Sequence, residues 1–318
     1  MLNVSLPFVA LPGLFAPVAP PVPQPVLERR VLAMGTELCL HLEGETDLVK
    51  ASEALLAESG RIEAACSTWD PSSAWSRLNG AQGRPVALDP EWIALLAQMQ
   101  GWQDRTQGAF DPVLGALLRA WGVRSGGAVP TPRELQRARE ASGANLLDLD
   151  VPAATARLRD PRAGLEEGGF LKGYALDRMR KASGARSGWI DFGGQILAWG
   201  ALHPVSVADP LDRQRPRLDL ALLNASLSCS GTSERGRHIL DPRSGERCLG
   251  WGATAVVAPE ALTADVLSTA LFVLGPEAGL AWAEGHDVAA AFLLNDGSVR
   301  MTRAFQSLNP TLIPRESR

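Results

Sequence analysis

The sequence has no excess of positive charge. Its 31 Lys and Arg residues are outnumbered by 35 Asp and Glu residues, which gives a formal net charge of −4 at pH 7. The basic residues form no run or stripe that could follow a phosphate backbone. The charge pattern therefore argues against a nucleic-acid partner.

Cysteine is also scarce, and its spacing disfavours a zinc site. The four cysteines, Cys39, Cys66, Cys229 and Cys248, include no CxxC pair of the kind that zinc sites use. If the protein is exported, Cys229 and Cys248 could form a disulfide across a loop. Buried free thiols explain the same residues at least as well.

After residue 30 the sequence lacks an apolar run long enough to span a membrane between charged flanks. It also lacks internal repeats. What it does have is length and apolar content, since 46% of its 318 residues are hydrophobic. Such a chain can bury a large core, in one large domain or in two closely packed ones.

The N-terminal stretch differs from the rest. Residues 2–26 are apolar, rich in Pro and Ala, and the first charge is Glu28. This composition is typical of a secretory signal, with a small-residue cleavage zone at 16–19, although a basic segment before it is missing. We expect residues 1–28 to be a leader and the protein to be periplasmic or otherwise extracytoplasmic. A disordered Pro-rich leader on a cytoplasmic protein is the alternative.

Hydrophobic periodicity predicts a mixed fold. Alternating apolar residues predict a strand over 29–42 that Gly35 interrupts. Helices are predicted at 47–66, at 90–106 and after the capping box that starts at Thr131, and strands dominate from 188 onward. Long helices followed by a β-rich half predict the α+β (mixed α/β) class, in a domain of residues 29–305 with a tail at 306–318.

One segment, residues 263–275, is both apolar and locally polar. Thr263 is a plausible N-cap, and Gly275 followed by Pro276 is a typical helix end. Asp265, Ser268 and Thr269 lie at i, i+3 and i+4, so they share one helix face and need partners if they are buried. A hard cation such as Mg²⁺ would supply one. A capping acid with small hydroxyls at a helix crossing is the alternative, which this segment alone favours.

Other polar residues occur where chemistry could take place, each with a structural alternative. Gly168-Gly169 leads to Lys172 at a helix entrance, where N–H groups can bind phosphate, but the spacing is not that of a Walker motif. His238 could be a general base, and Trp69, on a loop, could stack on a flat ring. A simple turn, a surface histidine and a core-edge tryptophan would explain the same residues.

Seven stretches, taken together and in order, resemble a known family. The sequence resembles the ApbE family of FAD:protein FMN transferases, which move FMN from FAD onto a Thr or Ser of a target flavoprotein. The resemblance covers residues 29–303. The stretches are AMGTE (33–37), STWDPSSAWSRLN (67–79), GAFDPVLG (108–115), GGFLKGYALD (168–177), DFGGQILAWG (191–200), SLSCSGTSERGRHILDPRSGE (226–246) and TADVLSTALFVLGPEAGLAWAE (263–284).

The resemblance implies an FAD site. It places Met34 and Trp69 beside the isoalloxazine ring, and the turn of Ala109, Phe110 and Asp111 in contact with the flavin. Glu166 stands where the family commonly has Asp. Lys172 would lie near the phosphates, and Ile239 would touch the cofactor.

The resemblance also implies a Mg²⁺ site and a catalytic base. The backbone carbonyl of Gly169 and the side chains of Asp265, Ser268 and Thr269 match metal ligands, which reverses the structural interpretation of that helix. His238 resembles the base that takes the proton from the acceptor hydroxyl, and Asp241 beside it is the second candidate. The resemblance also makes Lys172 a catalytic residue. The leaving group of the reaction would be AMP.

Several positions depart from the family pattern. Trp69 replaces a Tyr, Ala74 a Glu, Leu171 a small residue and Gln195 the Asp of a Gly-Gly-Asp motif. Two other functions therefore stay open: a Mg²⁺-dependent FAD pyrophosphatase that releases free FMN, and a non-enzymatic flavin-binding maturation protein. The expected partners are FAD and an acceptor flavoprotein with a target Thr or Ser, which could belong to a membrane complex.

Overall fold

The computed structural model describes residues 24–45, 47–231 and 238–315. Within them the chain forms eight α-helices and fourteen β-strands. The helices are α1 (Leu48–Cys66), α2 (Ala74–Asn79), α3 (Pro90–Arg105), α4 (Gly115–Ala120), α5 (Pro132–Glu140), α6 (Leu171–Ser183), α7 (Ala261–Gly285) and α8 (Arg303–Gln306). The strands are β1 (Val26–Ala33), β2 (Thr36–Glu43), β3 (Val86–Ala87), β4 (Leu147–Asp150), β5 (Thr155–Leu158), β6 (Ser187–Phe192), β7 (Gln195–Trp199), β8 (His203–Asp209), β9 (Asp212–Leu222), β10 (Ala225–Gly231), β11 (Gly252–Ala258), β12 (Ala289–Leu294), β13 (Val299–Met301) and β14 (Thr311–Leu312).

A central antiparallel sheet organises the molecule. Its eight strands lie in the order β1-β2-β6-β7-β10-β11-β12-β13. Because side chains alternate along a strand, Val256 and Phe292 point to one core while Val257 and Leu293 point to another. Helices α1, α6 and α7 cover the first face, and the β14-β9-β8 sheet covers the second. The predicted α+β class is confirmed, although the longest helix, α7, lies in the β-rich half.

Most of the predicted helices form where local signals place them. Asp47 caps α1 by accepting the N–H of Lys50, and Thr131 and Glu134 complete the predicted capping box of α5. Leu55 and Ile62, on the apolar face of α1, are fully buried.

The predicted strand at 29–42 is in fact a hairpin. β1 and β2 pair along their whole length, and Ala33 lies opposite Thr36. Met34 and Gly35 between them both have positive φ, of 44° and 71°. Two such residues form the type of two-residue turn that matches the twist of a hairpin. Gly35 therefore lies in a chain reversal between two paired strands, and the prediction of one continuous strand over 29–42 is wrong.

Helix α7 begins two residues before the predicted cap. The carboxylate of Asp177, on α6, accepts the N–H groups of Ala261 (2.8 Å) and Leu262 (2.9 Å), so a neighbouring helix supplies the cap that Thr263 was expected to give. The predicted break at Gly275 is confirmed by its non-helical backbone (φ 80°, ψ 173°). The second part of the helix then runs from Pro276 to Gly285.

Within the described residues, α7 is long and apolar enough to cross a membrane by length and composition alone. Its contacts give another explanation. It packs against α6, β10 and β11, and Val266, Ala270 and Leu271 are fully buried there. Its apolar composition is therefore accounted for by its place in the main core.

The ordered chain continues beyond the expected domain boundary at 305. β14 pairs with β9, and Arg315 forms an ion pair with Asp209 at 2.5 Å, so much of the predicted tail is folded. The part of the leader before residue 24 lies outside the described residues. All four cysteines are described, and none forms a disulfide.

Candidate active site

The site is built around the crossing of α6 and α7. A Cβ atom on Gly173 would lie 2.4 Å from the carbonyl oxygen of Ala261 and 2.8 Å from the Cβ of Asp265. Glycine is therefore required for the two helices to approach this closely. The close approach lets the N–H of Gly173 donate to Oδ2 of Asp265 at 2.9 Å.

Asp265 is a buried carboxylate with a cationic neighbour. Only 5% of the residue is exposed, and burial raises the pKa of its carboxyl group, while the positive charge of Lys172 and the Gly173 hydrogen bond act in the opposite direction. Burial of a charge is costly unless it is paired. The structure thus brings together two predicted site residues, and the carboxylate is suited to a further cationic partner.

A cluster of hydroxyl groups lies one turn further along α7. The Ser268 hydroxyl lies 2.9 Å from that of Ser230 and 3.2 Å from that of Ser228, and the Ser230 hydroxyl lies 3.2 Å from that of Thr269. Ser228 and Ser230 were not predicted. Their alternation in the stretch SLSCSG puts them on one face of β10, and this signal could have identified them.

Gly169 and the predicted flavin-contacting turn meet at Thr269. A Cβ on Gly169 would lie 3.6 Å from Cε2 of Phe110 and 3.6 Å from Oγ1 of Thr269. Phe110 also packs edge-to-face on Phe170, with ring centroids 5.9 Å apart. Phe110 and its buried neighbour Ala109 therefore lie beside the predicted metal ligands.

Asp111, the third residue of that turn, holds the backbone together. Its Oδ1 accepts the N–H of Val113 at 2.7 Å, and its Oδ2 accepts the N–H of Ala144 at 2.9 Å. Burial raises the pKa of Asp111 to about 6, against these two hydrogen bonds. Both carboxylate oxygens thus have a structural role, and direct contact of Asp111 with a flavin stays a prediction.

Trp69 and Glu166 are joined by Arg124, a residue that sequence reasoning missed. Trp69 is 67% exposed, and the guanidinium carbon of Arg124 lies 4.1 Å from its ring centroid. Nη2 of Arg124 also donates to Oε2 of Glu166 at 2.6 Å. Burial and the neighbouring Glu167 raise the pKa of Glu166 to about 7, and Arg124 opposes that rise.

Two turns and the start of α7 converge at one end of the central sheet. A Cβ on Gly193, in the β6–β7 turn, would lie 2.6 Å from Oγ1 of Thr36, next to the hairpin turn that carries Met34. Gln195 donates from Nε2 to the carbonyl oxygen of Ala261 at 2.8 Å. An Asp could not make this bond when ionised, so the departure at Gln195 gives α7 a further attachment.

The segment that carries His238, Ile239 and Asp241 packs on the region of α4 and α5. Ile239 is buried, and its carbonyl oxygen accepts the N–H of Cys248 at 2.9 Å. Asp241 forms a bidentate ion pair with Arg243, with both N–O distances at 2.9 Å. A Cβ on Gly108, which precedes Ala109, would lie 3.5 Å from Cγ of Arg243. The segment therefore lies beside the predicted flavin-contacting turn, and residues 232–237, which precede His238, lie outside the described residues.

The donor set at α7 suits a hard cation. Among residues 24–45, 47–231 and 238–315, no group of three or more His, Cys, Asp or Glu side chains is arranged to hold a metal. The candidate donors are instead one carboxylate, of Asp265, the hydroxyls of Ser268 and Thr269, and the carbonyl of Gly169. Mg²⁺ accepts oxygen donors of this kind with few carboxylates when substrate phosphates complete its coordination.

Comparison with known proteins gives consistent matches. A model of the ApbE family matches residues 34–293. The chain is 28% identical to an FAD:protein FMN transferase of Rhodobacter capsulatus over 306 residues, covering 88% of this chain and 58% of that protein. It is 28% identical to an FAD:protein FMN transferase of Chlamydia muridarum over 240 residues, covering 70% of this chain and 76% of that protein.

Solved structures agree with these matches. The ApbE protein of Thermotoga maritima superposes with a TM-score of 0.83 at 25% identity, covering 89% of this chain and 99% of that one. The flavinyl transferase ApbE of Pseudomonas stutzeri, in its apo form, gives a TM-score of 0.81 at 27% identity, covering 91% and 98%.

Proposed function

Because the chain belongs to the ApbE family, we propose that it transfers FMN from FAD to a Thr or Ser hydroxyl of a target flavoprotein and releases AMP. The observation that carries this proposal is the crossing of α6 and α7. A buried carboxylate, a lysine and two hydroxyl-bearing residues lie there, near the backbone of Gly169 and the ring of Phe110. These groups suit a pyrophosphate and its cation.

Asp265, Ser268, Thr269 and the carbonyl of Gly169 would hold the metal. Mg²⁺ bound there would neutralise charge on the FAD pyrophosphate and polarise the phosphoryl group that is attacked. Lys172, whose charge already acts on Asp265, would bind the phosphate oxygens. These residues position the pyrophosphate and stabilise the charge that develops on it.

His238 would take the proton from the acceptor hydroxyl. The acceptor oxygen forms a bond to the phosphorus of the FMN half, the bond from that phosphorus to the bridging oxygen breaks, and AMP leaves with the bridging oxygen. Asp241 is the weaker candidate for the base, because Arg243 occupies both of its carboxylate oxygens.

The test is a single-turnover assay of AMP release from FAD and Mg²⁺, with and without an acceptor domain that carries a target Thr. We expect AMP release to require the acceptor and to leave FMN covalently attached. His238→Ala should slow transfer by about 10²–10⁴-fold while FAD still binds. Asp241→Asn tests the second candidate for the base, and it should retain most of the rate if His238 is the base.

The other outcomes identify the competing functions. Equal AMP release without an acceptor would indicate a Mg²⁺-dependent FAD pyrophosphatase, with water as the nucleophile. FAD binding with no AMP release under either condition would indicate a flavin-binding maturation protein.

We also propose that the protein works in the periplasm, because residues 2–26 are apolar and uncharged. An acceptor in a membrane complex would then be accessible from that side. Fractionation of cells, followed by N-terminal sequencing of the mature protein, tests this proposal. An intact N-terminus in the cytoplasmic fraction would contradict it.

A further inference from the structure

Arg124 lies in a turn that holds its backbone against the end of α4. The N–H of Gly127 donates to the carbonyl oxygen of Gly122 at 2.8 Å, and the N–H of Ala128 donates to that of Trp121 at 2.8 Å. These hydrogen bonds close a small loop around Arg124. Its side chain therefore extends from a fixed base.

The guanidinium of Arg124 reaches two segments of the candidate flavin site at once. It donates to the hydroxyl of Thr68 at 2.6 Å and to the carbonyl oxygen of Thr68 at 3.2 Å. It also donates to Glu166 at 2.6 Å and lies 3.5 Å from a carboxylate oxygen of Glu167. Arg124 thus ties the loop that carries Trp69 to the segment that leads to Gly169 and Lys172.

The same group covers one face of the Trp69 ring, 4.1 Å from the centroid. A guanidinium can stack flat on an aromatic ring while its N–H groups donate in their own plane, which an ammonium group cannot do. Trp69 is nevertheless 67% exposed. A second flat ring can therefore stack only on the face that Arg124 leaves open.

We propose that Arg124 is a positioning residue for the flavin, which holds Trp69 so that its open face receives the isoalloxazine ring. This inference rests on the proposed function, because it takes FAD as the ligand. Arg124 acts through Trp69 and not on the reacting phosphate. Its loss is therefore expected to raise the KM for FAD and to leave kcat at saturating FAD nearly unchanged.

The test measures the dissociation constant of FAD by quenching of flavin fluorescence, in the full-length protein with Mg²⁺ and no acceptor. Arg124→Gln should raise this constant by about 3- to 30-fold, the range of a cation–π contact that is partly shielded from water. Arg124→Lys should give an intermediate value, because it keeps the charge but not the planar fork. The matched control is Arg105→Gln, which removes a guanidinium 4.9 Å from Trp102 and should bind FAD normally.

A double-mutant cycle separates positioning from direct contact. If Arg124 acts through Trp69, Arg124→Gln should have little further effect on FAD affinity in a Trp69→Ala background. Multiplicative effects would show that Arg124 acts independently of Trp69 and would overturn the inference. Wild-type affinity in Arg124→Gln, or full affinity in Arg124→Lys, would overturn it as well.

The proposed function can fail separately. If the wild-type protein does not bind FAD, the assignment of the site is wrong. If it binds FAD and Arg124→Gln binds equally well, only the role of Arg124 is wrong. Circular dichroism of each variant confirms folding, and Arg124→Lys remains informative if Arg124→Gln does not fold.

Discussion

At the scale of single residues, Asp265 is buried, and its Oδ2 accepts the N–H of Gly173. Asp265→Asn keeps an oxygen that can accept the Gly173 N–H but removes the charge. We expect Mg²⁺ affinity to fall by more than about 100-fold, since even outer-shell changes at metal sites cost 10–100-fold. Stability without metal should be equal or higher, because the substitution removes the desolvation cost of a buried charge.

Isothermal titration with Mg²⁺ and thermal unfolding without metal measure the two effects. Thr263→Ala, on the same helix, is the control and should change neither, because α7 begins at Ala261 under the Asp177 carboxylate. Unchanged Mg²⁺ affinity in Asp265→Asn would show that the metal does not bind at α7.

Asp111 predicts a pH effect on stability. The fold raises the pKa of this carboxyl from its ordinary 3.8 to about 6, because burial disfavours the charged form. The folded state therefore binds the proton more tightly than the unfolded state does. The resulting contribution to stability is fully present below about pH 4 and is lost as the pH rises through about 6.

Asp111→Asn has no such proton to lose. Between pH 4 and pH 7, wild type should therefore lose about 3 kcal/mol of unfolding free energy relative to Asp111→Asn, because the pKa of Asp111 is shifted by about 2 units. Urea denaturation of both proteins at intervals of one pH unit measures it. Parallel pH profiles would show that Asp111 is not desolvated as the structure indicates.

At the scale of elements, the α6–α7 crossing depends on one glycine. Gly173→Ala would place a Cβ 2.4 Å from the carbonyl oxygen of Ala261, a backbone atom that cannot move without the whole helix. We expect a loss of several kcal/mol or failure to fold, as in other overpacked cores. Gly60→Ala, in α1, meets nothing within 4 Å and should stabilise by about 0.5–1 kcal/mol through helix propensity.

Thermal and urea unfolding of the two alanine variants checks the contrast. Both substitutions add one methyl group to a glycine inside a helix, so helix propensity alone predicts that both should increase stability. Similar stability changes at Gly173 and Gly60 would mean that the helices do not approach this closely.

At the scale of the whole molecule, ligand binding should couple to unfolding. The proposed site draws on α6, α7, β10 and the turn at 109–111, so a ligand held there stabilises elements from distant parts of the sequence. With FAD at about 100 times its dissociation constant, unfolding should cost about 2.7 kcal/mol more. The stabilisation should be larger with Mg²⁺ than with a chelator.

Thermal unfolding with and without FAD, Mg²⁺ and chelator measures this coupling. In Asp265→Asn the difference between Mg²⁺ and chelator should disappear, whereas stabilisation by FAD alone should remain. A Mg²⁺ effect that persists in that variant would place the cation at another site.

Features that depend on neighbours a few residues apart could be predicted from the amino-acid sequence. The start of α1 near Asp47 and its buried face follow from periodicity, the capping box at Thr131 from the Thr and Glu three residues apart, and the break at Gly275 from backbone preference. The shared face of Asp265, Ser268 and Thr269 follows from helical spacing alone. The identity of their partners does not, and only the resemblance to a family turned that face from a structural feature into a candidate metal site.

Contacts between distant segments could be identified only from the folded structure. Asp177 sets the start of α7 from 84 residues away, and Arg124 reaches Thr68 across 56 residues. Neither pair has a local signal, because a side-chain cap from another helix leaves no trace in the sequence that it caps. The chain reversal at Met34 and Gly35 was missed for a related reason. Alternating residues look the same whether a strand continues or turns back to pair with itself, and only the pairing partner distinguishes the two.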